Sequence, residues 1–85
     1  MKIAAIQIYT DWCRIVQEIP SYRLGQHYIN VLGLRDTTFK GIDLFFVESV
    51  ELSDKLFYEM CLEYRWDLFD LPVFGEYDLT TVKPV

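Results

Sequence analysis

"YRLGQHYINVLG", residues 22–33, is the stretch whose reading decides the fold. On a helical wheel Tyr22, Leu24, Tyr28, Ile29, Val31 and Leu32 take one half, and Gly25 lies among them. Arg23, Gln26, His27 and Asn30 fill an arc of about 100° on the other side. The pattern predicts a helix over 21–34, opened by Ser21 and closed by Gly33 in a left-handed cap. A mid-helix glycine costs about 1 kcal/mol against alanine. On the apolar face it has one use, which is to let a neighbouring helix come close. Arg23, Gln26 and Asn30 stack one above the next at helical spacing. They read as a structural polar arc whose side chains bind carbonyls of the loop 35–45, with a partner-facing role as the alternative.

Outward from this helix the chain keeps a mainly helical character. Residues 3–19 fit a helix, with Gln7, Thr10, Asp11, Arg14, Gln17 and Glu18 on one arc and Ala5, Ile8, Trp12, Ile15, Val16 and Ile19 opposite. A strand over 2–9, with Thr10 capping a shorter helix, is the rival reading. Pro20 ends the helix in either case. Residues 37–52 read as a short helix capped by Asp36, with Phe39, Ile42 and Phe46 in line, followed by an irregular segment. A strand over "IDLFFVESV" competes with it. Residues 53–69 predict a long helix with Ser53 as N-cap and Asp54 at the positive end of its dipole. Its core stripe is Leu56, Phe57, Met60, Cys61, Tyr64 and Leu68. A second stripe, Tyr58, Leu62, Trp66 and Phe69, lies beside Glu59 and Glu63. Residues 72–85 read as a tail that folds back through Phe74, Tyr77, Leu79 and Val82. The expected architecture is a single domain over 1–85. It is a mainly α bundle of three to four helices with an irregular middle and a C-terminal tail. A small α+β domain, its sheet built from 2–9, 42–50 and 73–82, is the alternative.

Charge narrows the partners. The net charge is −5, but residues 43–85 hold ten acids against three bases. Such a surface repels phosphate backbones, so direct nucleic-acid binding is not expected, whereas a basic partner suits it. Hydrophobic residues make up 52% of the chain, enough to rule out compositional disorder. No apolar run approaches the ~18 residues of a membrane span, and the N-terminus lacks a signal-peptide core. A cytoplasmic protein, in a bacterial or infected host cell, is expected. Cys13 and Cys61 fall on apolar helical faces and are expected to be reduced.

Catalytic constellations are scarce. His27 is the only histidine, and with two scattered cysteines it does not make a zinc site. A Cys13–His27 nucleophile pair is not expected, because Cys13 sits beside the core arc of its helix and His27 on the polar face of the next. "GLRDTTFKG" lacks the strand–loop–helix context of a phosphate loop. Glu59 and Glu63 share a helix face, but in so small a domain they read as solvated. No enzyme activity, metal or cofactor is expected.

Arg23, Gly25, Gln26, Asn30 and Leu32 form the pattern R-x-G-Q-x-x-x-N-x-L. It resembles a pattern in small proteins of bacteriophages and bacteria that often continue into D-P-F-Y. Here "DLFF", Asp43 to Phe46, has leucine where that proline stands. The resemblance implies a small helical protein of phage-like origin and carries no activity with it. Together with the charge, it suggests a module that binds a larger host protein with a basic surface and inhibits or redirects it. Host machinery handling nucleic acid is the natural target. A counter-defence role like that of anti-CRISPR proteins, which are of this size and charge, falls within this expectation. The expected partner-binding residues are Tyr58, Glu59, Leu62, Glu63, Trp66, Asp67 and Phe69. A structural or accessory homodimer joined through the aromatic stripe is the alternative function.

Overall fold

Helix periodicity in the first third of the chain gives two helices, and a computed structural model describes residues 3–74. Helix α1 spans Ala5–Ile15 and helix α2 spans Leu24–Leu32. Of the rival strand 2–9, residues 5–9 are helical instead, and residue 2 lies outside the described residues. Helix α1 is shorter than its periodicity predicts, because the chain turns over 16–18 before Pro20. The cap of α2 is Arg23, not Ser21. Arg23 is extended, and its backbone N–H donates to Gln26 Oε1 at 2.8 Å. Gly33 closes α2 in the left-handed conformation, φ 67° and ψ 37°, as its position predicts.

The middle segment departs from its expected form. Phe39, Ile42 and Phe46 do not share a helix. Strands β1, Thr38–Phe39, and β2, Ile42–Asp43, pair antiparallel around Lys40–Gly41. Both turn residues take positive φ, 52° and 78°, the twist a two-residue hairpin needs. Asp36 Oδ1 accepts the Thr38 N–H, so this aspartate shapes a turn instead of capping a helix. A 3₁₀ turn, Leu44–Phe46, follows, and Asp43 caps it by accepting the Phe45 N–H.

Helix α3 spans Val50–Tyr64 and starts earlier than its pattern suggests. Its cap is Ser49, whose Oγ accepts the Leu52 N–H, while Ser53 lies buried inside the helix. It ends at Arg65 in the left-handed conformation, φ 57°. The domain is mainly α, as its periodicity predicts. Helix α2 is central, touching α1, α3 and the 3₁₀ turn. Tyr28 of α2 stacks on Phe57 of α3, ring centroids 3.8 Å apart. Between α2 and the 3₁₀ turn the close neighbour of Gly25 is the Leu44 carbonyl. Of the expected tail, Phe74 donates its backbone N–H to Leu32 O at 2.7 Å. Tyr77, Leu79 and Val82 lie outside the described residues.

Candidate functional site

Two groups of residues carry the polar and interface chemistry expected of this chain. The first is the arc on α2. It is not the wet side of a helix: Gln26 and His27 are both 0% exposed. An amphipathic pattern marks the outside only where one face is left open, and α2 is enclosed by α1, α3 and the 3₁₀ turn. Arg23 Nε donates to Phe45 O at 3.1 Å, and the guanidinium sits 5.6 Å from the Phe46 ring centre. Gln26 turns to the Arg23 backbone instead of the loop. Its Nε2 has no hydrogen-bond partner among the described residues. Asn30 Nδ2 donates to the Tyr22 hydroxyl at 3.1 Å, and that hydroxyl lies 2.9 Å from His27 Nδ1. Burial first, with Arg14 adding and Asp11 opposing, pushes the His27 imidazole down to about 4.

Tyr22 is the residue that wheel reasoning undervalued. Its side chain is buried, its hydroxyl joins Asn30 to His27, and its carbonyl accepts the Trp12 indole N–H at 2.8 Å. Asp54 is a second such case. It reads as a dipole residue in the sequence, yet it accepts the Tyr28 hydroxyl at 2.8 Å within α3. Both depend on contacts between elements, which periodicity does not encode.

The second group is the C-terminal end of α3 and the turn after it. Since α3 stops at Tyr64, the stripe Tyr58, Leu62, Trp66 and Phe69 is not one helical line. Tyr58 is half-buried, and its ring tilts against Phe57. Trp66 is half-buried between the rings of Tyr64 and Phe74, centroids 5.1 and 5.8 Å away. Leu62 and Phe69 are 80% and 75% exposed. Tyr64 and Leu68, expected in the core stripe, divide likewise: Tyr64 is exposed and Leu68 packs against the core. Glu59 pairs with Lys40 of the hairpin turn at 3.7 Å. Glu63, Asp67 and Asp70 are exposed.

The turn that presents Phe69 is pinned. Asp67 Oδ1 accepts the Phe69 N–H, and Asp67 O accepts the Asp70 N–H. The Ala5 N–H donates to Leu68 O and the Leu71 N–H to Ile3 O, each at 2.8 Å, so the turn is fastened to the start of α1. Exposed apolar side chains and carboxylates thus stand on backbone held in place, an arrangement suited to recognition.

Among the described residues no three His, Cys, Asp or Glu side chains gather as a metal site. No described helix is long and apolar enough to cross a membrane. Cys13 is half-buried and Cys61 buried, and both are free thiols. An open cleft of about 380 Å³ lies where Trp12, Val16, Pro20, Tyr22, Arg23 and Val50 meet, with Ser21 and Glu48 also on its wall. No protein-family model, curated protein or solved structure matches the chain.

Proposed function

We propose that the protein is a small acidic binding module of phage type. It docks the end of α3 and the following turn onto a basic surface of a larger host protein that handles nucleic acid, and so inhibits or redirects it. It acts by binding and not by catalysis, in the cytoplasm of a bacterial or infected cell. A counter-defence task of the anti-CRISPR kind fits this reading. One observation carries it: Leu62 and Phe69, 80% and 75% exposed, share this end of the molecule with exposed Glu63, Asp67 and Asp70. Apolar anchors supply affinity, and carboxylates steer a cationic partner and select against an anionic one. Self-docking through the same surface would set these carboxylates against their own copies, which disfavours the homodimer.

Affinity capture from a bacterial lysate tests the reading when run beside the double variant Leu62→Ala, Phe69→Ala and the charge reversal Glu63→Lys, Asp67→Lys. A basic nucleic-acid-handling protein retained by the wild type, released steeply by salt and lost at least tenfold with either variant supports it. Retention indifferent to salt and to both variants refutes it. Self-association alone, lost in the apolar double variant, favours the accessory homodimer instead.

A further inference from the structure

We propose that the ring pair Tyr64–Trp66 at the end of α3 is the seat for an arginine side chain of the partner, its guanidinium lying on the rings and pairing with the Glu63 or Asp67 carboxylate. This deepens the docking role given above to the same end of the molecule, and rests on it.

The pair exists only because the helix stops. Residues two apart on an α-helix point about 200° away from each other. Arg65, at φ 57° and ψ 41°, turns the chain back, and the Trp66 N–H bonds Cys61 O at 2.9 Å. This turn brings the two rings to 5.1 Å between centroids, at an interplanar angle of 31°. Phe39 and Phe74 continue the row on either side, 6.4 Å from Tyr64 and 5.8 Å from Trp66. Tyr64 is 54% exposed, and Trp66 is half-buried. The two rings are therefore held by their neighbours yet open to a visitor, so stacking on them costs little in side-chain order.

Charge decides which visitor. Exposed Glu63 and Asp67 bracket the pair in the sequence, and Asp67 is fixed by accepting the Phe69 N–H. Residues 56–74 carry four carboxylates against one base, Arg65. Ring faces and carboxylates together attract a cation and turn away a phosphate. The chain itself shows this arrangement at the Phe39 end of the row. There Lys40 Nζ lies 5.4 Å from the Phe39 ring centre and 3.7 Å from a Glu59 oxygen. Among the described residues no cation of the chain lies over Tyr64 or Trp66, the next two rings along. At the far end Arg35 stands beside Phe74 on the wall of an open pocket, where it repels a second cation. The middle of the row is thus the place for one from outside.

Arginine fits this place better than lysine. Its guanidinium is planar and weakly hydrated, so it lies flat on a ring while its edge still donates to a carboxylate. An ammonium must shed strongly held water to touch the same ring.

NMR titration of the whole protein with the peptide Gly-Arg-Gly-Gly-Arg-Gly, and with its lysine and citrulline counterparts, tests this. The Trp66 indole N–H and the Tyr64 amide should shift with the arginine peptide. The Trp12 indole, buried and bonded to Tyr22 O, should stay in place as the internal reference. Affinity should fall at least about threefold with lysine and further with citrulline, which keeps the shape and loses the charge. Tyr64→Leu keeps apolar bulk without a ring face and should weaken the arginine peptide about three- to tenfold, while Tyr64→Phe should bind it as the wild type does. Absence of shifts at Trp66, equal affinity for the three peptides, or undiminished binding by Tyr64→Leu overturns the seat. If Tyr64→Leu does not fold, the ranking of the three peptides on the wild type decides. Failure here is distinct from failure of the docking role. A basic protein captured from lysate and retained in full by Tyr64→Leu, but lost with Leu62→Ala, Phe69→Ala, overturns the arginine seat and leaves the docking surface standing.

Discussion

Gly25 of α2 lies so close to the carbonyl of Leu44 that a Cβ at this position would overlap the carbonyl oxygen. The neighbour is backbone at the start of the 3₁₀ turn, and it cannot swing aside as a flexible side chain can. This approach sets the 3₁₀ turn on α2 and brings the Phe45 carbonyl within reach of Arg23. The glycine serves close packing, as its place on the apolar face predicts, though the body it admits is a 3₁₀ turn and not an α-helix.

Gly25→Ala should therefore destabilise the domain, although alanine is the better helix former by about 1 kcal/mol. Overpacking of this kind costs about 1–3 kcal/mol net. Urea unfolding checks it, and a variant as stable as the wild type would show that the Leu44 contact is slack.

Tyr28 combines a stacked ring with a buried hydroxyl bonded to Asp54. Tyr28→Phe keeps the stack and removes the bond, so a loss of about 1–2 kcal/mol is expected. A double-mutant cycle with Asp54→Ala, which removes the acceptor, should recover most of that as coupling. Burial, then the bond to Asp54, raises the phenol well above the ordinary tyrosine range. In an alkaline titration of the folded protein Tyr28 should stay protonated while exposed tyrosines ionise.

The two thiols should react unequally. Cys61 is buried, and burial pushes it up to about 11, so at pH 8 only about one molecule in a thousand carries the thiolate. Cys13 is partly accessible. Alkylation of the native protein should label Cys13 first, with Cys61 following only on unfolding, and mass spectrometry of the digested product distinguishes the two.

The divided stripe predicts divided energetics. Leu62→Ala and Phe69→Ala should each change stability by no more than about 0.5 kcal/mol, because both side chains stand largely in water. Trp66→Ala removes a ring packed between Tyr64 and Phe74, and should cost about 1–3 kcal/mol. Equal losses at all three positions in thermal unfolding would mean that Leu62 and Phe69 are covered in solution.

Helix α3 takes its cap from Ser49, so Ser49→Ala should lose about 1 kcal/mol through the Leu52 N–H. If chemical denaturation shows no loss for Ser49→Ala, the first turn of α3 is held by packing alone.

Much of the fold was legible locally. The apolar period of 22–33 and the position of Gly33 locate α2 and its end, because helix periodicity and a left-handed cap depend on neighbouring residues only. The acidic C-terminal half is likewise a property of composition. The middle is ambiguous in sequence because Phe39, Ile42 and Phe46 fit a helix as well as they fit a hairpin and a 3₁₀ turn. Lys40–Gly41, whose positive φ decides between them, carries a weaker turn signal than Asn-Gly or Asp-Gly. The helical pattern runs past the true end of α3 because nothing in "LEYRWDLF" marks Arg65 as left-handed, a conformation secured by its N–H bonding back to Leu62 O.

By itself the sequence determined a mainly helical domain, the place and the end of its central helix, and the acidity of its C-terminal half. Only tertiary structure decided that Gln26 and His27 face inward, that Tyr22 joins His27 to α1, and that Trp66 packs while Phe69 stays in water. The reason is geometric. A helix in contact on one side reveals its inner face by its apolar residues, but α2 is enclosed on several sides, and there the Tyr22 hydroxyl meets His27 and Asn30 instead of solvent.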